Sequence, residues 1–275
     1  MYIKYFFSHF ANAMALLSTF CTILVGMFSC MSHCPCIWWA CLGLSVFYAL
    51  VKLIPVSNIS LHLGPRKDIL IEKRDLFAIK QGIIVIPVND YFDTQLTNAV
   101  IAANSVHGQF IKYFERNFPQ RDLDNEIKQA LARDGIMPSG HRFNRMGVNN
   151  DKSAKYELGT IARIMIDNLQ FYLVVATEFD VNNHVINQPE KLSFMLMQML
   201  KNIDTYNSGH PVYMPLIGSG QSGYNLGKEA SLRHLLQCVS LANHYVTTGG
   251  TTICIYKDDS KDISLNKIKY DFQNC

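Results

Sequence analysis

Two apolar stretches, with no aspartate, glutamate, lysine or arginine over residues 10–51, make up the first part of the chain. They cover residues 10–31 and 36–54, and each is close to the roughly 20 residues with which an α-helix crosses a bilayer. A buried core helix normally keeps a polar face, and a cleaved signal peptide has a shorter apolar stretch of about 7–15 residues. The pattern therefore predicts a transmembrane helical hairpin over residues 1–55 that reverses at residues 32–35.

The basic residues that flank this hairpin indicate its orientation. They are Lys4 before the first stretch and Lys52, Arg66 and Lys67 after the second, whereas the predicted reversal has none. Because basic residues favour the cytoplasmic side of a membrane, we expect both ends of the hairpin, and the rest of the chain, to lie in the cytoplasm.

After the hairpin, short apolar runs alternate with amphipathic segments. We expect residues 56–68 to form a linker and residues 69–275 to form one ligand-binding domain. Strands are predicted at residues 69–72, 83–88, 159–167, 171–176, 212–217, 251–256 and 268–272, and helices at residues 110–117, 122–133, 190–206 and 225–244. This alternation indicates an α/β sandwich.

Composition narrows the classes of function. The chain has 275 residues and a formal net charge of +3, so nothing in it indicates a nucleic-acid surface. The potential metal ligands near the predicted reversal are Cys30, His33, Cys34 and Cys36. Their spacing matches no standard zinc pattern, and we expect no metal site.

A glycine-rich segment, Gly218-Ser219-Gly220-Gln221-Ser222-Gly223-Tyr224, lies between a predicted strand and a predicted helix. Main-chain N–H groups in such a turn, together with the positive end of the helix, favour binding of an anion such as phosphate. The glycines let the main chain approach a phosphate without Cβ collisions.

Two common nucleotide-binding motifs do not fit this segment. It has the spacing G-x-G-x-x-G, but the dinucleotide fingerprint needs an acidic residue about 20 residues further on, where position 243 is asparagine. A P-loop is excluded because Gly227-Lys228 is followed by Glu229 rather than by serine or threonine.

Four motifs, taken in order along the chain, resemble those of macro domains. They are Arg74-Asp75-Leu76, Ile84-Val-Ile-Pro-Val-Asn89, Ala103-Asn104-Ser105-Val-His107-Gly108 and Pro215-Leu-Ile-Gly-Ser-Gly-Gln-Ser-Gly-Tyr224. The resemblance covers residues 69–256. It implies a three-layer α/β/α sandwich on a mixed sheet, with ADP-ribose or an ADP-ribose derivative as the ligand.

The predicted hairpin, the macro-like motifs and Glu157-Leu-Gly-Thr-Ile-Ala together resemble one branch of the family more closely. This branch comprises the membrane-anchored macro effectors of Thoeris-type bacterial antiphage systems. The resemblance implies a multi-pass protein of the bacterial inner membrane whose cytoplasmic macro domain receives an ADP-ribose-derived signal, such as a histidine adduct of ADP-ribose. A partner TIR-domain protein would make that signal from NAD. Binding would drive homo-oligomerisation and membrane disruption, without catalysis and without a further cofactor.

The motif positions also imply ligand contacts. Asp75 would accept a hydrogen bond from the adenine amino group, Leu76 would pack near the base, and Tyr224 would pack against the ribose or the base. The main chain of residues 218–223 would hold the diphosphate, and a second group would surround the distal ribose. The complete predicted site is Asp75, Leu76, Asn89, Asn104, Ser105, His107, Gly108, Gly218, Ser219, Gly220, Gln221, Ser222, Gly223 and Tyr224.

Structural interpretations stay open for some of these residues. Asp75 suits a helix N-cap, Asn89 suits a turn after its strand, and a lone histidine such as His107 is more often structural. The first loop has one glycine where hydrolytic macro domains have several, and residues 90–100 are an insertion relative to their compact motif. Both departures argue against hydrolysis. A membrane-tethered ADP-ribosyl hydrolase is the alternative function.

Overall fold

The chain divides into two compact units in the computed structural model, Met1–Ser57 with Leu265–Asn274, and Asn58–Ser264. The structure describes residues 2–27, 36–52, 54–97, 100–139, 145, 152–186, 188–220, 224 and 226–273. The predicted reversal at residues 32–35 and the cysteine–histidine group near it are therefore outside the described residues, apart from the helical backbone at Cys36.

The helices and strands are numbered in chain order. The helices are α1 (Tyr2–Met27), α2 (Cys36–Lys52), α3 (Val106–Asn117), α4 (Leu123–Arg133), α5 (Glu190–Tyr206), α6 (Lys228–Leu241) and α7 (Leu265–Gln273). The strands are β1 (Asn58–His62), β2 (Asp68–Lys73), β3 (Gly82–Asn89), β4 (Ile161–Ile166), β5 (Leu169–Thr177), β6 (Val212–Pro215) and β7 (Thr251–Ile255). Short 3₁₀ helices cover Leu76–Ala78 and Asp259–Asp262.

Small side chains are buried in the first unit, where α1 packs against α2. Ala13, Cys21, Cys41 and Ala49 are each less than one tenth exposed, and the sulfur atoms of Cys21 and Cys41 lie 3.0 Å apart. Small residues let two helices approach closely, which is the usual way for apolar helices to associate in lipid.

One of the two predicted membrane spans meets the length requirement in the described part of the chain. The segment Phe6–Ile23 of α1 has a mean hydropathy of 1.3 and carries enough apolar length for a span. The apolar part of α2 is limited to Trp39–Val51, which is shorter than the roughly 20 residues that cross a bilayer. The prediction of a two-span hairpin is therefore not confirmed.

The second unit is built on a seven-stranded mixed sheet with the order β1-β2-β7-β6-β3-β5-β4. The five central strands β2, β7, β6, β3 and β5 are parallel to one another, whereas the edge strands β1 and β4 pair antiparallel with β2 and β5. The strands β3 and β7 are buried along almost their whole length, as expected when helices cover both faces of a parallel sheet. The sheet confirms the predicted mixed α/β fold.

Apolar periodicity explains the helices of this unit. A stripe of apolar residues on α5 recurs at helical spacing and is buried in the core: Leu192, Met195, Leu196, Met199, Leu200 and Ile203. On α3, the Phe110 ring packs against Phe114 and against Phe171 of β5, and the Phe110 and Phe171 ring centroids lie 5.2 Å apart. These contacts hold α3 against the sheet.

Two segments differ from the sequence interpretation. Residues 268–272, predicted as a short strand, belong to α7, in which Leu265, Lys267 and Ile268 are buried. Residues 56–68, expected as a linker, contain β1, which pairs with β2 from Asn58 to His62.

Candidate functional site

The carboxyl ends of five parallel strands converge on one cavity of about 690 Å³. Its walls are formed by residues 74–77 after β2, 87–89 at the end of β3, 177–179 after β5, 215–220 after β6 and 254–259 after β7, with the start of α3 closing one side. Open parallel sheets bind ligands at this edge, because loops of variable sequence meet there on a rigid frame. The volume is within the range of about 300–1,000 Å³ that is usual for small-molecule sites.

The loop after β2 contributes two of the predicted residues. Asp75 and Leu76 both line the cavity. One carboxylate oxygen of Asp75 accepts a hydrogen bond from the Phe77 main-chain N–H at 2.9 Å and so caps the 3₁₀ helix Leu76–Ala78. The carboxylate retains a second oxygen, so the structural and the ligand-binding interpretations of Asp75 are compatible.

The glycine-rich segment lines the cavity through Gly218, Ser219 and Gly220. Gly218 has a φ of +95°, a conformation that L side chains rarely adopt, and an added Cβ would lie 3.2 Å from a methyl group of Leu192. At Gly220 an added Cβ would meet nothing within 4 Å. The segment therefore turns sharply at Gly218 and presents open main chain at Gly220.

Of the other predicted residues of this segment, the structure describes Tyr224. Gln221, Ser222 and Gly223 are outside the described residues. Tyr224 is 1% exposed and is not part of the cavity wall, and burial raises the pKa of its hydroxyl above the ordinary range. The near-complete burial of Tyr224 indicates a packing role.

The start of α3 forms the opposite wall with Asn104, Ser105 and His107. The Ser105 hydroxyl accepts from the Gly108 N–H at 3.0 Å and donates to the Ala102 carbonyl at 2.7 Å, which makes Ser105 the N-cap of the helix. Gly108 is buried and does not line the cavity. A Cβ at Gly108 would lie 2.3 Å from the Ala102 carbonyl oxygen. Glycine is therefore needed at this position for α3 to pack closely against the main chain of Ala102.

Asn89 lines the cavity, but its side chain is engaged in the turn that follows β3. Its carbonyl oxygen accepts from the main-chain N–H groups of Tyr91 and Asp93 at 3.3 and 3.1 Å, and its amide donates to the Asp93 carboxylate at 2.8 Å. These contacts are the ones expected of a residue that begins a turn after its strand, so the turn interpretation of Asn89 agrees with the structure.

Asp93 and Arg145 form a buried ion pair that sequence reasoning did not find. The guanidinium donates to both carboxylate oxygens at 2.9 and 2.8 Å, and each side chain is 1% exposed. The guanidinium carbon also lies 3.8 Å from the centre of the Tyr91 ring. This pair holds residues 90–97, which belong to the predicted insertion at residues 90–100, next to Asn89.

Two titratable groups close to this pair have shifted pKa values. Burial lowers the pKa of His107 to about 4, although Asp93 opposes the shift. Burial raises the pKa of Asp90 to about 6, which hydrogen bonds from Lys155 and from the Phe179 main chain partly offset. At neutral pH the cavity therefore presents an uncharged imidazole at His107.

Charged side chains on the described cavity wall are mostly acidic. Arg74 is the basic side chain there, and the acidic ones are Asp75, Asp258 and Asp259. An anionic ligand is therefore held chiefly by main-chain donors and not by lysine or arginine side chains. Sequence reasoning missed the wall residues Arg74, Phe77, Thr177, Phe179, Tyr256, Asp258 and Asp259, which lie at the end of a predicted strand or within five residues after it.

A cavity at the carboxyl ends of a mixed sheet, crossed by a glycine turn that leads into a helix, defines a macro-domain protein. In agreement, the chain is similar to a mutant macrodomain from Oceanobacillus iheyensis, with a TM-score of 0.52 and 11% identity over 80% of this chain and 100% of that chain. The chain matches the family described as "Thoeris protein ThsA, Macro domain" over residues 69–256, and it belongs to that family.

A named relative extends the similarity beyond the macro domain. The chain is 27% identical over 235 residues to Thoeris protein ThsA from Bacillus amyloliquefaciens (strain Y2). The alignment covers 82% of this chain and 76% of the relative. The predicted macro domain and the predicted relation to Thoeris defence are therefore both confirmed.

Proposed function

We propose that the macro domain is the receptor for an ADP-ribose-derived signal in Thoeris defence. The observation that carries the proposal is the position of Gly218–Gly220 on the wall of a cavity of about 690 Å³, with Gly220 exposed. Family membership and the similarity to ThsA of Bacillus amyloliquefaciens support it.

The cavity wall offers a suitable partner for each part of such a ligand. The free oxygen of Asp75 suits an adenine amino group, and Leu76 offers an apolar surface for the base. The main chain at Gly218 and Gly220 suits the diphosphate because it can approach closely and provides N–H donors. Asn104 and His107 lie on the wall where the distal ribose and any attached group would end.

Binding without turnover fits the contacts of the two side chains best suited to activate water. The carbonyl oxygen of Asn89 already accepts two main-chain hydrogen bonds. A pKa of about 4 makes His107 a weak general base at neutral pH, because effective bases have pKa values near the working pH. We therefore favour a receptor over the alternative, a membrane-tethered ADP-ribosyl hydrolase.

The helical unit suggests where the receptor acts. Phe6–Ile23 has the length and mean hydropathy of a membrane span, and the basic residues around the apolar region favour a cytoplasmic macro domain. We propose an inner-membrane effector that a TIR-domain partner activates by producing the signal. Ligand-driven homo-oligomerisation and membrane disruption would follow if the ligand binds the assembled form more tightly than the free form.

Calorimetry on the full chain in detergent micelles tests the receptor proposal, with ADP-ribose, NAD and a histidine adduct of ADP-ribose as probes. Gly220→Glu should weaken binding of every probe that the wild type binds by roughly 100-fold or more, equivalent to about 2.8 kcal/mol. The reason is that a carboxylate would then occupy the space of the diphosphate.

Gln237→Glu is the charge-matched control. Gln237 is exposed near the far end of α6 and is not on the cavity wall. This variant should bind as the wild type does. Unchanged binding by Gly220→Glu would refute the site, and release of ADP-ribose from an esterified probe would favour the hydrolase.

A further inference from the structure

The last helix, α7, belongs to the helical unit and not to the macro domain unit that precedes it in the chain. The Tyr270 hydroxyl lies 2.7 Å from the Ser8 hydroxyl of α1, and the rings of Tyr270 and His9 have centroids 5.5 Å apart. The Asn266 amide donates to the Ile54 carbonyl at 2.6 Å, just after α2. The chain thus returns to α1 and α2 after completing the macro domain.

The segment that leads into α7 begins in the wall of the ligand cavity. Tyr256, Asp258 and Asp259 line the cavity directly after β7. The 3₁₀ helix Asp259–Asp262 follows, and α7 starts at Leu265. A single short segment therefore has one end at the proposed ligand and the other end on the helix with the length of a membrane span.

The first turn of α6 holds the middle of this segment. The Lys228 ammonium lies 2.9 Å from a carboxylate oxygen of Asp259 and 2.9 Å from one of Asp262. The Ser264 main-chain N–H donates to the Glu229 carboxylate at 3.3 Å. Because α6 follows the glycine-rich segment, its first turn connects the proposed phosphate site to the residues before α7. The adjacent cavity wall leads into the same residues along the chain.

We propose that residues 256–273 form a coupling strap that carries ligand occupancy from the cavity to α1. The inference rests on the proposed function, because it needs a ligand in this cavity. A ligand that orders Tyr256 and Asp258, and that fixes the start of α6, stabilises the anchorage of Ser264 on Glu229. The covalent continuation into α7 then stabilises the contacts of Tyr270 with Ser8 and His9.

Hydrogen exchange of the full chain in detergent micelles tests the strap, with ADP-ribose at about 100 times its dissociation constant. Ligand binding at this excess slows exchange in a coupled segment by up to roughly 100-fold. We expect slower exchange in residues 216–220, and slowing by at least about fivefold in residues 265–273.

Two variants separate the strap from general stabilisation. Glu229→Ala should keep the ligand effect in residues 216–220 and lose it in residues 265–273. Glu190→Ala, which removes the first-turn glutamate of α5, is the control and should behave as the wild type. Tyr270→Ala should speed exchange throughout α7, whereas Lys269→Ala, at an exposed position on the same helix, should not.

The outcomes distinguish the two proposals. Slower exchange at residues 216–220 without any change at 265–273 in the wild type overturns the strap and leaves the receptor function intact. Retention of the α7 response in Glu229→Ala, or equal exchange in Tyr270→Ala and Lys269→Ala, also overturns the strap. No slowing at either segment contradicts the receptor function itself, and the strap with it.

Discussion

Replacing Asp93 with alanine should destabilise the macro domain strongly, because the Arg145 guanidinium would stay buried without its counter-ion. Both side chains are 1% exposed, and the carboxylate accepts from two guanidinium nitrogens at 2.9 and 2.8 Å. It also accepts from the Asn89 amide at 2.8 Å. One substitution therefore removes the partner of a buried charge and of a buried amide that belongs to the cavity wall.

The expected loss is about 3–5 kcal/mol, the usual cost of leaving one member of a buried ion pair unpaired. For a domain of this size, each kcal/mol shifts the melting temperature by roughly 2–4 °C, so the midpoint should fall by roughly 6–20 °C. The double variant Asp93→Ala with Arg145→Met should recover part of this loss, because it also removes the unpaired charge.

The loss in free energy of unfolding is measured by urea denaturation of a fragment that begins at residue 56, with far-ultraviolet circular dichroism as the signal. Tryptophan fluorescence cannot report on the domain, since both tryptophans of the chain are at positions 38 and 39. Asp68→Ala is the control, because the Asp68–His62 pair is 2.8 Å long but its side chains are 74% and 67% exposed. It should change the free energy of unfolding by less than about 1 kcal/mol. A loss below about 1 kcal/mol in Asp93→Ala would refute the reasoning.

Two further predictions concern groups near the same cavity. Asp90 has a pKa of about 6 in the folded chain and 3.8 as its ordinary value, so the folded state binds its proton more tightly between these pH values. Above pH 6 the folded state bears the full free-energy cost of the charged carboxylate, and this cost disappears as the pH falls towards 4. Over that interval the free energy of unfolding of the wild type should therefore rise by up to about 3 kcal/mol relative to that of Asp90→Asn. Urea unfolding of both proteins at several pH values measures the difference, and a difference independent of pH would contradict it. Ser105→Ala should cost about 1 kcal/mol because the cap of α3 is lost, whereas Ser105→Asp, which can still accept from Gly108, should cost little. Equal stability of the two Ser105 variants in the same assay would show that the cap does not matter.

The sequence predicted the parts of the site that depend on local order along the chain. A glycine-rich turn between a strand and a helix, and polar residues directly after buried strands, require the carboxyl-edge geometry of a parallel sheet. Asp75 and Gly220 could therefore be assigned to one cavity. The ion pair of Asp93 with Arg145 could not, because its partners are 52 residues apart and each looks like an ordinary loop residue in the sequence.

Two errors in the fold have a common physical cause. The segment with Ile268 is too short for its spacing to separate a helix from a strand, and its contacts with α1 decide the matter. Residues 58–62 alternate between exposed and buried positions, but their outward side chains are polar and the strand is only five residues long. In both cases pairing with a distant part of the chain supplies the stability that local propensity lacks.

The proposed recognition by main chain has a consequence for how this protein can change over time. A contact made by a side chain is lost when that side chain is shortened, whereas main-chain donors such as those proposed at Gly218 and Gly220 persist when neighbouring side chains change. Added bulk is what would weaken such binding. A side chain at Gly218 is disfavoured by the φ of +95°, and a side chain at Gly220 would fit the fold but obstruct the ligand.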